Sequence, residues 1–426
     1  MEELMQYVWQ HRLWPTGDMR TVDGRQVQVI DPGLINRDSG PDFFNAKIRI
    51  GGEMWSGNVE IHVRASDWRR HNHHLDMAYD SVILHVVGID DLAIRRANGE
   101  TIPQLHMPCA PDLTSRIKKL IDNPHDELAC AREISGIPAI YLTDWLSSLA
   151  YQRLYSKVER IQDLLRRFNN DWEEVCYITF ARALGFGING DPLQRLAMSL
   201  PLRFMRKHSD SLTSMEALLF GQAGFLDSAP KDDQYTKLLI EEYAFLSNKF
   251  SLKQPQPLGW KMSRMRPLNF PHRRIAMLAA VMEGGFRMMS DIIEAESSED
   301  AMSIFDIPLT GYWSSRYNFG PTAGRTLPAI SHTSAGIMVI NVVIPLLYAY
   351  GLAYDNRSMC DLAINMLHQL PPERNSIVKL FTGSGVQCKD AFTSQALIEL
   401  RHSYCETRKC LYCRLGHRML SAKVRP

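Results

Sequence analysis

Gly40-Pro41-Asp42-Phe43-Phe44-Asn45-Ala46-Lys47-Ile48-Arg49-Ile50-Gly51-Gly52-Glu53-Met54-Trp55-Ser56-Gly57-Asn58-Val59-Glu60-Ile61-His62-Val63 is the stretch on which the fold turns. Residues 43–50 alternate between apolar and polar, the period of a half-buried strand. The Gly51-Gly52 pair supplies a turn, and 54–63 reads as a second strand running back antiparallel. Side chains two apart on a strand share a face, so Glu60 and His62 point the same way. A turn centred on Gly51 or on Gly52 sets Asp42 opposite position 60 or 62 and brings all three side chains to one face. A two-residue turn sends Asp42 to the other face. Convergence therefore needs an odd-length loop or a β-bulge, and Gly57 is the residue expected to supply one.

Working outward, residues 2–13 place Leu4, Tyr7, Val8 and Trp9 near helical spacing, and Pro15 ends that helix. Residues 26–30 are strand-like and run into an Asp31-Pro32-Gly33 turn. Downstream, Ser66-Asp67-Trp68 opens a helix expected to reach Tyr79, and 81–87 is a buried strand. A peripheral hairpin is expected around Asn98-Gly99. After Pro111 the strand signal fades. Helices are expected at 141–168, 171–184, from Asp191-Pro192 onward, and at 214–220, 232–250, 272–289, 335–350, 359–370 and 390–404. The expected class is α+β: a mixed-sheet core over 1–110, a mainly helical region over 111–385, and a C-terminal helix with a Cys cluster and basic tail over 386–426.

Bulk properties narrow the function classes. A chain of 426 residues suggests two or three domains, and 45% hydrophobic with 22% charged residues is ordinary globular composition. A net charge of +1 excludes a chain that attracts nucleic acid through bulk charge and leaves room only for a local basic groove. Met1-Glu2-Glu3-Leu4-Met5 lacks the basic and apolar regions of a signal peptide, and 8 cysteines are too sparse for a disulfide framework, so a cytoplasmic setting is expected. The apolar stretch 337–354 contains Asn341 and Pro345 and lacks strongly basic flanks. It is expected to be a core helix kinked at Pro345, with no membrane span.

Two carboxylates on one face, Asp42 and Glu60, suit a hard cation such as Mg²⁺ or Mn²⁺, with positions left for water and phosphate oxygens. His62 beside them can orient a water, act as a base or serve as a third ligand. His71, His73 and His74 lack the His-x3-His spacing that pairs zinc ligands on a helix face.

With Pro41-Asp42 and Glu60-Ile61-His62 in this strand order, residues 1–110 resemble the PD-(D/E)XK nuclease superfamily. The resemblance implies a restriction-endonuclease-like mixed sheet and divalent-metal-dependent hydrolysis of phosphodiesters in DNA or another nucleic acid. Asp42 and Glu60 would bind the metal, with Glu2 or Glu3 of the first helix as an extra carboxylate. His62 stands where that superfamily usually has Lys, and His neither reaches as far nor stays cationic near neutral pH. Related nucleases place a polar motif on the following helix, which implies a supporting role for His74, Asp76 and Tyr79 and phosphate contact by Arg69 or Arg70. The whole chain also resembles a family of uncharacterised bacterial proteins, mostly of Bacteroidetes type. That likeness runs through Gly40-Pro41-Asp42-Phe43, Glu60-Ile61-His62, Ser66-Asp67-Trp68, Val82-Ile83-Leu84-His85-Val86-Val87, Leu218-Leu219-Phe220-Gly221 and the terminal cysteines.

Near the C-terminus, Cys410-x-x-Cys413 forms a chelating pair with Cys405 one loop away. With His402 or His417 as fourth ligand this is a structural zinc site; with Cys388 it is a four-Cys site for zinc or an iron–sulfur cluster. Several nucleases of the resembled superfamily carry a C-terminal Cys-bound cluster. Arg401, Arg408, Lys409, Arg414, Arg418, Lys423 and Arg425 make the tail basic. Arg153, Lys157, Arg160, Arg166 and Arg167, and a second group at Arg264, Arg266, His272, Arg273 and Arg274, are candidates for a nucleic-acid groove. Tyr312, Trp313, Tyr317 and Phe319 either stack bases or pack internally. The alternatives are a non-catalytic nucleic-acid-binding or scaffold protein on a degenerate core, and a metal hydrolase of small phosphoesters with a deep closed pocket.

Overall fold

The computed structural model describes residues 1–14, 18–36, 38–96, 99–107, 114–115, 117, 128–255, 257–328 and 330–421. Pro15, Asn98, Lys423 and Arg425 lie outside them. The class is α+β, 54% helical with a mixed six-stranded sheet. The chain divides into one unit of Met1–Trp145, Gly383–Val386 and Leu400–Pro426 and a second of Leu146–Thr382 and Gln387–Glu399. The C-terminal cysteines thus belong with the sheet, and not to a separate segment over 386–426.

In the first unit, α1 (Glu2–Gln10) precedes β1 (Val27–Asp31), β2 (Leu34–Ile35), β3 (Phe43–Ile50) and β4 (Glu53–Arg64). After α2 (Asp67–Arg70) come β5 (Val82–Ile89) and β6 (Gln104–His106). The sheet order is β1-β3-β4-β5-β6, with β2 on β3; β1, β3 and β4 are antiparallel, and β4, β5 and β6 run parallel. Val59 and Ile61 of β4 join Leu84 and Val86 of β5 and Leu4, Met5, Val8 and Trp9 of α1 in one core. Burying each such side chain is worth roughly 1.5–3 kcal/mol. Trp68, Tyr79, Val82, Ile94 and Ile102 form a separate cluster.

The β3–β4 turn has two residues, pairing Ile50 with Glu53, and both glycines have positive φ (+57° and +94°), as the mirror-image hairpin turns require. That register alone sends Asp42 to the wrong face. A bulge corrects it: Ala46 pairs with Gly57 but Phe43 pairs with Val59, so one extra residue sits in β3. The extra residue is accommodated at Asn45, left-handed at φ +56°, whose N–H donates to Asn58 Oδ1 at 3.2 Å. The expected bulge exists, but in the first strand and not at Gly57. Gly57 serves a different contact: a Cβ there would lie 2.4 Å from Ile83 Cγ2 and 2.8 Å from Ser81 O, so glycine lets β5 close on β4.

The helix expected to reach Tyr79 ends at Arg70. Asn72 takes φ +64°, which a right-handed helix cannot continue through. Two short 3-10 turns follow, His73–Leu75 and Met77–Tyr79, the second capped by Asp76 Oδ1 accepting from Ala78 N at 2.9 Å. Arg69, His73 and Asp76 therefore do not lie along one helix face. Instead the break turns His71 and His73 back toward β4.

In the second unit, Asp171 caps the helix Trp172–Leu184 by accepting from Glu173 N and Glu174 N. The helix expected over 272–289 is two, Pro271–Met282 and Met288–Glu294, parted by Gly284 and Gly285 at φ +77° and +93°. The helix His332–Ala353 is long and apolar enough to cross a membrane by composition, yet 72% of its apolar window is buried. The irregularity expected at Pro345 is a π-helical turn, Val339–Val343, just before it.

Candidate metal centre

The β3 bulge sets Asp42 against Glu60. Asp42 N donates to Glu60 Oε2 at 3.0 Å, and Ile61 N donates to Asp42 Oδ2 at 3.0 Å. Gln6 of α1 donates to Asp42 Oδ1 at 2.9 Å. The other Glu60 oxygen, Oε1, faces imidazoles: His62 Nε2 at 3.5 Å and His73 Nε2 at 3.4 Å. His62 joins two more rings, its Nδ1 2.8 Å from His85 Nε2 and its Nε2 3.2 Å from His71 Nδ1. One nitrogen each from His62, His71 and His73 all lie within 4.8 Å of one another. Tyr79 stacks on His73 at 3.8 Å, and Trp68 sets its edge against His73 and His85.

Burial governs the protonation of these groups. Glu60 is 4% exposed, and that burial, with the Asp42 charge second, pushes its carboxyl up to about 9. Burial also lifts Asp42 to about 6, against the hydrogen bonds from Ile61 and Gln6 and with the Glu2 charge adding to it. The two carboxyls together carry about one negative charge near neutral pH. Burial, then neighbouring imidazoles, lowers His62 to about 2 and His73 to about 4; burial and His73 lower His85 to about 3. These rings are neutral in ordinary buffers, so the close approach of His62 and His73 to Glu60 is not an ion pair. Neutral imidazoles and a carboxyl that would ionise beside a cation are the form in which such residues ligate metal.

Asp42, Glu60 and His62 are thus brought together as expected. Glu2 is half-buried on α1, and its charge acts on both carboxyls; Glu3 is exposed. Tyr79 supports His73 by stacking, Asp76 caps a turn, and Arg69 is exposed. His73, and not the half-buried His74, belongs to the imidazole group. The His-x3-His spacing did not apply because His71 and His73 lie in a broken turn. His85 and Gln6 were not singled out from sequence. A lone histidine inside the apolar run Val82–Ile89 was the available signal, and its pairing opposite Glu60 shows only once β4 and β5 are parallel.

Elsewhere, Cys405, Cys410 and Cys413 line one cavity, but none of the expected fourth ligands does. His402 pairs with Glu406 at 3.0 Å, His417 Nδ1 meets Tyr7 OH at 2.9 Å, and Cys388 lies by Asp390 O in the second unit. In the second unit, Arg153, Lys157, Arg160 and Arg167 line a cleft of about 770 Å³ with Arg182, while Arg166 pairs with Asp163. Arg273 is not a phosphate contact: it is fully buried and donates to the carbonyls of Trp313, Arg316 and Pro328. Trp313 is internal too, packed against Phe220 and Phe319.

No curated protein and no solved structure matches the chain. A family model matches residues 2–376, nearly its whole length, and by that match the chain belongs to the family described as "Protein of unknown function (DUF2851)".

Proposed function

We propose that this protein is a divalent-metal-dependent nuclease built on a restriction-endonuclease-like core, with Asp42, Glu60 and the imidazoles around them as its centre. The observation that carries the reading is the bulge at Asn45, which sets Asp42 against Glu60 and the ring nitrogens of His62, His71 and His73. The sheet supports it as well: an antiparallel run through β3 and β4, then a parallel β5 reached through an irregular crossover. A donor set of two carboxylates and ring nitrogens suits Mn²⁺ and, through the carboxylates alone, Mg²⁺. Bound there, such an ion supplies Lewis-acid polarisation of a phosphoryl oxygen and a lowered pKa for water.

The residues themselves divide the remaining work. Asp42 and Glu60 would hold the ion and lose their shared proton to do so. Tyr79 and Trp68 fix His73 and His85 in orientation. His71 is exposed at the mouth of the site, its Nδ1 resting on His62 and its Nε2 3.5 Å from Arg70 Nη2, so it would act as a base toward water only when that guanidinium turns to substrate. Arg70, held by Asp67 Oδ1 at 3.1 Å with Nη2 3.5 Å from His71, is placed to meet a phosphate. The arginine-lined cleft of the second unit independently supports a polyanionic partner.

One observation favours a non-catalytic, nucleic-acid-binding reading instead: Glu60 and His62 are 4% and 1% exposed, so substrate meets the centre only at its histidine rim. A panel of single-stranded, double-stranded and branched DNA and RNA, with Mn²⁺ or Mg²⁺, separates the two. Cleavage by the wild type that is lost in Glu60→Gln is the expected result. Binding without turnover across the panel would replace the nuclease with the binding protein, and turnover of small phosphoesters alone would move the substrate class.

A further inference from the structure

The cleft of about 770 Å³ in the second unit draws its cations from two helices. Arg153, Lys157, Arg160 and Arg167 follow one another at helical spacing along the helix Ala139–Arg167, and Arg182 comes from the helix Trp172–Leu184. Asp163 and Glu373 line the same space, but the acids here are already engaged. Asp163 pairs with Arg166, Glu373 accepts from Gln395, and Glu399 pairs with Arg153 at 3.4 Å. Arg182 donates to a neutral amide, Gln194 Oε1, at 2.6 Å. Among the described residues no carboxylate pairs with Arg160, Arg167 or Arg182.

Lys157 is 8% exposed, and the π-helical turn Val339–Val343 explains its place. The Ile344 N–H, which an α-helix would aim at Ile340 O, donates to Val339 O. Pro345, next in line, has no N–H. The Ile340 carbonyl is thus released from the helix. Lys157 Nζ donates to it at 3.1 Å and to Gln395 Oε1 at 2.7 Å. An ammonium has three donors, so one remains for the cleft that Lys157 lines. Burial, then the Arg153 charge, lowers Lys157 to about 7, and burial, then Arg182 and Arg153, lowers Arg160. Cations crowd here at a cost that a bound anion would remove.

The rest of the lining suits an anion with an apolar body. Phe186, Met198 and Ile337 are half-buried apolar side chains on the same cleft. Phe186 holds φ +43°, a backbone that a bulky residue keeps only where its surroundings enforce it, and Arg274 lies 4.5 Å over its ring. The volume falls in the ordinary range for small-molecule sites. We propose that this cleft binds a nucleoside polyphosphate, its phosphates on Arg160, Arg167 and Arg182 with Lys157, its base against Phe186, Met198 and Ile337. A nucleic-acid strand offers the same phosphates, but the buried Lys157 and the apolar patch both select the smaller ligand. The assignment narrows the polyanionic partner of this cleft to a free nucleotide and does not depend on the metal reading at Asp42 and Glu60, which belong to the other unit.

The test titrates the full chain, without divalent metal, with the four ribonucleoside triphosphates, tripolyphosphate, adenosine and a single-stranded DNA oligonucleotide, read by calorimetry. At least one nucleoside triphosphate should bind about tenfold or more tighter than tripolyphosphate, and adenosine should bind far more weakly. Arg160→Ala and Arg182→Ala should each weaken that nucleotide about tenfold or more, and Arg160→Lys, which keeps the charge but loses the fork, should fall between. Arg160 is exposed and crowded by like charge, so Arg160→Ala should keep the denaturation midpoint of the ligand-free chain, and its lost binding then reads as a lost contact. Arg203→Ala, exposed and outside the cleft, should bind as the wild type does. No binding of any nucleotide, equal binding of tripolyphosphate, or unchanged affinity in Arg160→Ala overturns the proposal. So does an oligonucleotide that binds through Arg160 while no nucleotide does, which would give the cleft to the polymer.

Discussion

Adding Mn²⁺ to the metal-free protein should drive protons off the carboxyl pair in a number set by pH. With burial pushing Glu60 up to about 9 and Asp42 to about 6, the two together hold about one proton near neutral pH, more on the acid side and less on the alkaline side. A cation that takes both as carboxylates releases those protons. His62 and His73, lowered to about 2 and about 4, are already neutral and add almost none. Calorimetric titration in buffers of different ionisation enthalpy reads the count directly, and the apparent affinity should rise about tenfold per pH unit between about pH 6 and pH 9. The stability of the metal-free protein follows the same groups. Glu60 is raised, so its contribution is full below about 4.5 and is lost as pH rises through about 9. His62, His73 and His85 are lowered, so theirs is present above about 6.5 and fades as pH falls toward their folded values. Mn²⁺ should therefore raise the Tm most on the alkaline side. A release near zero at about pH 7.5, or the same release from Glu60→Gln, would refute the reasoning.

Substitutions at Asn45, Gly57 and Arg273 test the scaffold. Asn45→Val forces a β-branched residue into φ +56°, which should cost about 1–2 kcal/mol in urea unfolding and weaken Mn²⁺ binding, whereas Asn45→Gly should keep both. Equal behaviour of the two would remove the bulge from the explanation of the site. Gly57→Ala places a methyl 2.4 Å from Ile83 Cγ2 and should destabilise by about 1–3 kcal/mol, a loss that Ile83→Ala in the same chain partly relieves; additive losses would contradict the contact. Arg273→Met strips one buried and two partly buried carbonyls of their donor and should lower stability by about 3 kcal/mol while leaving Mn²⁺ affinity intact. An unchanged denaturation midpoint would refute that role.

The sheet was legible because its signal is local. The alternation through 43–50 and the Gly51-Gly52 pair fix two strands and their turn, and the apolar run at 82–87, interrupted only by His85, fixes a third. The candidate site was legible only as far as Asp42, Glu60 and His62, since two of these sit two apart on one strand. What decides whether Asp42 joins them is a single left-handed residue, and Asn45 carries no mark in sequence that separates it from an outward strand residue. The crossover was misjudged for the same kind of reason: Asn72 stops a helix that Ser66-Asp67-Trp68 plainly starts, and the stop is what delivers His71 and His73. His85 depends on a contact distant in sequence, a parallel strand pairing. Its residue type was visible, but its neighbours were not.

Crystals of the full chain soaked in Mn²⁺, with anomalous scattering recorded at the manganese edge, test the metal centre most directly. An anomalous peak within coordination distance of Glu60 and at least one ring nitrogen of His62, His71 or His73, absent from Glu60→Gln crystals, is the expected result. A saturated soak with no peak among Asp42, Glu60 and these histidines, or one unchanged in Glu60→Gln, would contradict it.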